Sequence, residues 1–253
     1  MIRVAAVGDL HIGDDGSARW RDALKPVSDD ADLLLLAGDL TRIGAMNEAA
    51  AVTTALELVS IPIFAVLGNH DYHDGCEAEL RRMLAARGVR VLEGTAATLR
   101  VGDTRIGIAG SKGFGGGFAN ACGSDFGEPE MKAFIRHTAT LSDRLRRALA
   151  SLDVDLRVAL LHYSPIPATL RGEHLQIYPF LGSYLLGEAV DAAGADLVVH
   201  GHAHAGSEKG TTPGGVSVRN VAQPVIGSAY RVYCLNEHGG VESCEPVPNR
   251  ESA

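Results

Sequence analysis

The sequence predicts an α/β fold organised around a parallel sheet. Three observations carry this. Short apolar runs, at 2–7, 32–37, 63–67, 157–161 and 196–199, read as strands buried on both faces. In the first ninety residues such runs alternate with stretches of helical period, the pattern of right-handed strand–helix–strand crossovers. Nearly every run breaks into a glycine or a polar residue at its carboxyl end, the place where open α/β sheets put their chemistry.

The first strand, 2–7, exits through Gly8-Asp9-Leu10-His11, and a short helix at 17–25 is closed by Pro26. The second strand ends in Gly38-Asp39, and an alanine-rich helix at 46–59 follows. The third strand delivers Gly68-Asn69-His70-Asp71. A helix at 76–86 carries Leu80, Met83 and Leu84 on one face. The pattern then changes to short strands at 89–92, 98–101 and 105–109, with a hairpin turn at Gly102-Asp103. Residues 110–127 are rich in glycine and aromatics, match no phosphate-cradling motif, and read as a lid or rim. The longest helix, 129–152, has a stripe of Met131, Phe134, Ile135, Leu141, Leu145 and Leu149 that reads as core packing. The strand at 157–161 ends at His162, and an irregular loop occupies 163–178. A helix at 180–193 precedes the strand at 196–199, which ends in His200-Gly201-His202-Ala203-His204. Antiparallel strands at 216–221, 229–236 and 241–244 finish the chain. No repeat or linker divides it, so residues 1–253 are expected to form a single domain.

Hydrophobic residues make up 46% and charged residues 21%, the balance of a folded soluble protein. Aromatics are only 5%, so aliphatic side chains must fill the core. A net charge of −8 argues against nucleic acid as a partner, because phosphate-backbone affinity needs a basic surface. Cys76, Cys122, Cys234 and Cys244 form no CxxC or zinc-finger spacing. Cys234 and Cys244 flank an expected turn at 238–240, which permits a disulfide without requiring one. The chain opens on a strand with no signal-peptide core, and no apolar run approaches the roughly 20 residues of a membrane span. A cytoplasmic location without membrane partners is the expectation; the oligomeric state is left open.

Five expected strand ends carry metal-ligand residue types: Asp9 and His11; Asp39; Asn69; His162; His202 and His204. Carboxylate, amide oxygen and imidazole together suit Mn, Fe, Zn or Co. The donors exceed the needs of one ion. Two divalent ions bridged by Asp39 would use them all, and paired metals roughly 3.5–4 Å apart recur in phosphoester chemistry. Each Asp-x-His or His-x-His step turns two side chains toward one ion, with Gly201 allowing a sharp turn. Asn69 adds a donor without charge and leaves His70 free to meet substrate.

The ordered set D-x-H, G-D, G-N-H-D, H, G-H-x-H, running from Asp9 to His204, resembles the signature of calcineurin-like metallophosphoesterases. The resemblance implies a four-layer α/β/β/α sandwich, two mixed β-sheets flanked by helices, with a dinuclear metal site at the strand carboxyl ends. It implies Asp9, His11 and His204 as ligands of one ion, Asn69, His162 and His202 as ligands of the other, so that the His-x-His pair is divided between the ions rather than shared by one, and Asp39 as the bridge. His70 takes the place of the family histidine that meets the leaving-group or phosphate oxygen. Protein phosphatases of the family carry G-D-x-x-D-R, whose second Asp orients that histidine. Here Gly38-Asp39-Leu40-Thr41 is followed by Arg42. Asp71 stands where those phosphatases have Glu, so the pattern is closer to the family's phosphodiesterases.

Other polar residues have competing readings. Arg42 is a phosphate clamp or a surface ion-pair partner. Asp71 is a further candidate for substrate contact or for positioning His70. His73 lines the site or lies on a surface loop. Arg171, Glu173 and His174 touch substrate or form a solvated loop. His200 reads as a buried, hydrogen-bonded histidine. Asp14-Asp15 and Asp29-Asp30 read as solvated turns, and His137 and His238 as surface residues. The leading expectation is a metal-dependent hydrolase of small phosphoesters, cleaving diesters by in-line attack of a metal-bridging hydroxide. The alternatives are a phosphomonoesterase on a nucleotide or sugar phosphate, and a non-catalytic protein-binding scaffold of the same fold.

Overall fold

An apolar run without alternation has both faces to bury, and the fold supplies a cover for each. The computed structural model describes residues 1–236 and 239–244. Its strands are β1 (Ile2–Val7), β2 (Leu33–Ala37), β3 (Ile63–Val66), β4 (Val89–Val91), β5 (Thr95–Val101), β6 (Thr104–Ser111), β7 (Gly117–Phe118), β8 (Ala121–Cys122), β9 (Leu156–Leu161), β10 (Leu197–His200), β11 (Lys209–Thr211), β12 (Ser217–Asn220), β13 (Arg231–Leu235) and β14 (Val241–Cys244). The α-helices are α1 (Ser17–Leu24), α2 (Val27–Asp30), α3 (Met46–Ala55), α4 (Glu77–Ala86), α5 (Pro129–Ala150), α6 (Tyr178–Leu181), α7 (Tyr184–Ala193) and α8 (Gln223–Ile226).

Two mixed sheets form, in the orders β14-β13-β1-β2-β3-β4 and β11-β12-β10-β9-β6-β5. The strands that feed the strand-end motifs are parallel: β1 to β2, β2 to β3, β6 to β9 and β9 to β10. Leu33, Leu35 and Ala37 point between the sheets, meeting Ile106, Ile108, Val158, Leu160 and Val199. Leu34 and Leu36 face the other way, against Leu24, Val52, Leu56, Leu80 and Leu84 of the first helical layer. On the far side, Ala159, Leu161 and Val198 pack under Leu145 and Leu149 of α5 and Leu186 and Val190 of α7. The result is the expected α/β/β/α sandwich.

Several local expectations are corrected. The strand at 216–221 does not belong to a terminal antiparallel set: β12 runs parallel to β10 and antiparallel to β11, a short strand with no apolar pattern to announce it. The helix expected at 180–193 is two helices, because Ser183 accepts a hydrogen bond from the Leu185 amide and starts α7 afresh. The 110–127 stretch is not a lid over its first half. β6 runs on to Ser111, and the following glycines are tied down, Gly116 N to Pro179 O at 2.7 Å and Gly117 N to Gly182 O at 2.9 Å. It is a packed rim. Asp30 is not solvated; it is buried and accepts a 2.6 Å hydrogen bond from the Tyr230 hydroxyl. Cys234 and Cys244 are joined by a disulfide between β13 and β14. His238 lies outside the described residues. No helix among the described residues is long and apolar enough to cross a membrane.

Candidate metal centre

The strand ends are held in unusual backbone conformations. Asp9 (φ 58°), His11 (43°), Asp39 (49°) and His202 (70°) all lie in the left-handed region, and Asn120 is the only other described non-glycine residue there. Such conformations are disfavoured by about 1–3 kcal/mol each and persist only where the surroundings enforce them. Here the surroundings are hydrogen bonds between adjacent loops: Asp9 N to Gly38 O (2.9 Å), His11 N to Asp39 O (3.0 Å) and Ile12 N to Leu40 O (2.9 Å). Two glycines are required by close approach. A Cβ on Gly68 would overlap the Asp39 carboxylate, and one on Gly201 would overlap the Asp9 carboxylate.

The side chains converge in overlapping groups: Asp9, His11 and His204; His11, Asp39 and His70; Asp39, His162 and His202. Within each group the donor atoms lie within 4.8 Å of one another. His204 Nε2 is 2.9 Å from Asp9 Oδ1 and 3.5 Å from His11 Nε2. The two Asp39 oxygens face different partners. Oδ2 is 3.9 Å from both His11 Nε2 and His70 Nε2, whereas Oδ1 is 3.4 Å from His162 Nε2.

Hydrogen bonding decides which nitrogen is free. His162 Nδ1 sits 2.8 Å from the Ala37 carbonyl, which can only accept, so Nδ1 carries a proton and, in the neutral ring that a metal ligand requires, Nε2 presents a lone pair. That lone pair meets Asn69 Oδ1 at 2.9 Å and Asp39 Oδ1 at 3.4 Å. Three acceptors therefore converge with no hydrogen to share, an arrangement that fits a cation between them. His202 Nε2 is likewise engaged by the Phe180 carbonyl at 3.2 Å, which turns Nδ1 toward the cluster.

The electrostatics suit ligands rather than ion pairs at two of the sites, His202 and His11. Burial and the neighbouring His162 push His202 down to about 3, so its ring is neutral at ordinary pH. Burial also lowers His11, against the pull of Asp39 and Asp9. Burial alone would raise Asp9, but the His204 hydrogen bond and the His162 and His204 charges hold it below the usual carboxylate range. The same hydrogen bond raises His204.

Of the further candidates, Asp71 has a different role from the expected one. It is wholly buried and accepts from Thr41 Oγ1 (2.6 Å), Gly68 N (2.8 Å), Thr41 N (2.9 Å) and Leu40 N (3.2 Å). With both oxygens occupied it ties the Asp39 loop to the Asn69 loop. Burial and the Asp39 charge push its carboxyl up, against these hydrogen bonds. His70 is oriented by Arg42 instead, through the backbone: Nδ1 donates to the Arg42 carbonyl at 2.6 Å, which leaves Nε2 facing Asp39. The Arg42 guanidinium lies at the rim, 3.3 Å from exposed Asp15.

Glu173 accepts from the Ala205 amide at 2.8 Å, and the Arg171 carbonyl accepts from Ser207 Oγ at 3.0 Å. These bonds brace the loop that carries His202 and His204. The Arg171 side chain, His174 and His73 are exposed. His200 is fully buried between the Gly201 carbonyl (2.7 Å) and Thr169 Oγ1 (2.8 Å), with both nitrogens used and none left for a metal. His137 is exposed, its ring edge against Phe114.

One group beside the cluster escaped the sequence reading. Lys112 is buried among the rings of Phe114 (4.9 Å), Tyr72 and Tyr163 (5.2 Å each), and the Tyr163 ring lies 4.3 Å from that of His202. A lone lysine following an apolar strand and preceding a Gly-Phe step was the available signal.

A family model described as calcineurin-like phosphoesterase matches residues 2–206. Among solved structures, phosphopantetheinyl hydrolase from Mycobacterium tuberculosis aligns with a TM-score of 0.64 at 17% identity, covering 87% of this chain and 88% of that one. A putative 5′-nucleotidase from Staphylococcus aureus aligns at 0.60 and 16% identity, covering 100% of this chain and 55% of that one. GAP50, the anchor in the inner membrane complex of Plasmodium, aligns at 0.54 and 14% identity, covering 93% and 81%. At these identities the likeness is one of fold. No curated protein matches the chain by sequence.

Proposed function

The chain belongs to the calcineurin-like phosphoesterase family and is a hydrolase of phosphoric esters, and from that premise we propose that it is a two-metal phosphodiesterase acting on a small substrate. The observation that carries the metal reading is the meeting of His162 Nε2, Asn69 Oδ1 and Asp39 Oδ1 without a hydrogen among them. His202 completes that donor set. Asp9, His11 and His204 make the other, and Asp39 serves both, because its two oxygens face opposite groups. Two divalent cations, Mn in vitro, would supply Lewis-acid stabilisation of the phosphoryl oxygens and activate water at neutral pH. The two sheets share one interior core and build one site, which supports reading the chain as one functional unit.

The residues divide the remaining work. The carbonyls of Ala37 and Phe180 hold the His162 and His202 rings so that each offers its other nitrogen. Asp71 fixes the spacing of Asp39 and Asn69. His70, aimed by the Arg42 carbonyl, meets the phosphate or leaving-group oxygen. The assignment to diesters rests on the departures from the protein-phosphatase motif at Arg42 and Asp71. A non-catalytic scaffold would have no use for seven converging donors.

The test is hydrolysis of bis-p-nitrophenyl phosphate and p-nitrophenyl phosphate by purified protein reconstituted with Mn, with Mn measured by elemental analysis. The expected result is about two Mn per chain, the stoichiometry of a two-metal site, and the higher kcat/KM on the diester. A folded protein that takes up almost no Mn overturns the reading, and a preference for the monoester overturns the diester assignment.

A further inference from the structure

Lys112 presents a charged group that the proposed chemistry does not use. It enters the interior at the end of β6, where its carbonyl accepts from the His162 amide (3.2 Å) and the Tyr163 amide (3.0 Å). The residue is 9% exposed, and its ammonium is surrounded by three aromatic rings. Cation–π contacts offset only part of the desolvation of a lysine and satisfy none of its three N–H donors. Among the described residues no oxygen accepts from Nζ, and no carboxylate lies within ion-pair distance of it. Glu93 is the acidic group that most favours its charged form, but that carboxylate already accepts from the Leu67 amide at 3.3 Å and faces Arg81 at 3.8 Å. Nor is the ammonium sealed. The fully enclosed donors without partners among the described residues are Arg81 Nε, Ser142 Oγ and Arg219 Nε, and Nζ is not one of them.

The surroundings place this group beside the metal centre. Tyr72 follows His70 by two residues, Tyr163 follows His162 directly, and the Tyr163 ring that faces the ammonium lies 4.3 Å from the His202 ring. The rings also hold the side chain in one direction, which lowers the entropy lost when it meets a ligand. We infer that the Lys112 ammonium, boxed by Tyr72, Phe114 and Tyr163, is a second anion subsite that takes a carboxylate of the substrate remote from the ester being cleaved. One ammonium with three free donors matches a singly charged carboxylate. This inference rests on the phosphoesterase reading of the adjoining centre and narrows its substrates to phosphoesters that carry a further acid group.

Two probes of equal length isolate the carboxylate: 3-phosphonopropionate, with one, and propylphosphonate, without. Binding of each to Mn-loaded protein is measured by titration calorimetry, with Mn content measured on the same samples. Wild-type protein is expected to favour 3-phosphonopropionate by roughly tenfold, the value of one charge-assisted hydrogen bond. Lys112→Met should lose that preference while keeping its Mn and its affinity for propylphosphonate, and Lys112→Arg should retain part of it. Equal binding of the two probes by wild-type protein overturns the subsite and leaves the phosphoesterase reading standing. A preference that survives in Lys112→Met, or in Lys112→Gln should the Met variant fail to fold, also overturns it. Failure of Mn-loaded protein to bind propylphosphonate at all overturns the phosphoesterase reading, and the subsite falls with it.

Discussion

Replacing Asp71 by Asn separates a structural strut from a substrate contact. The two carboxylate oxygens divide their partners evenly: Oδ1 accepts from Thr41 N and Thr41 Oγ1, and Oδ2 from Leu40 N and Gly68 N. Asn keeps one oxygen and turns an NH2 toward the other pair, so two buried donors lose their acceptor. Each such loss is worth about 1–3 kcal/mol, or about 4 kcal/mol for the pair. That is a large fraction of the roughly 5–15 kcal/mol that holds a domain together. Urea denaturation followed by far-UV circular dichroism should show the loss as a lower midpoint at unchanged m. Asp71→Ala, which abandons all four donors, should lose more. In Asp71→Asn protein that is folded and carries Mn, KM for bis-p-nitrophenyl phosphate should stay within about twofold of wild type. Wild-type stability combined with a raised KM would refute the reasoning and return Asp71 to the substrate side of the site.

His70→Ala should keep its metal but lose about 10²–10⁴-fold in kcat on an ester with an alkyl leaving group, and less on p-nitrophenyl esters; equal losses on both would rule out proton donation. Arg42→Ala should preserve that leaving-group profile, because the carbonyl rather than the guanidinium orients His70. His200 is pushed by burial to about 4, against an ordinary value of 6.5. The folded state therefore binds fewer protons than the unfolded state between these values. The contribution is complete above pH 6.5 and falls away as pH drops toward 4, by about 3 kcal/mol in total. Subtracting the pH dependence of His200→Gln from that of wild type in denaturant titrations should recover this slope; parallel curves would show that His200 does not carry it. At His202, with φ 70°, Gly should be more stable than Ala by about 1 kcal/mol. At His162, which is not among the residues of positive φ, the order should reverse; the same order at both sites would deny the backbone strain.

The sequence made the site legible because each candidate ligand follows an apolar run, so a local pattern marked where each strand ends. Seven such residues in order, from Asp9 to His204, left little freedom about which ends converge. Asp71 and Arg42 were illegible for a shared reason. The residue types suggested side-chain chemistry, whereas the fold buries one carboxylate under four backbone and hydroxyl donors and uses the other residue's carbonyl. Lys112 was hidden because its box comes from three separate segments, Tyr72, Phe114 and Tyr163. β11 and the break at Ser183 lack any hydrophobic period and form through pairing and capping that only the assembled fold provides.

Neither sheet owns a complete donor set. The β1-β2-β3 side contributes Asp9, His11, Asp39 and Asn69; the β9-β10 side contributes His162, His202 and His204. The distances between these halves are fixed by how the sheets pack, through Leu35, Phe64, Leu160 and Val199. They are fixed again at the seam, where His162 Nδ1 donates to Ala37 O and the His202 amide donates to the Asp9 carboxylate at 2.9 Å. Close-packed interiors transmit displacement rather than absorb it. The aliphatic layer between the sheets therefore acts on the chemistry, because it sets the gap that two cations would bridge.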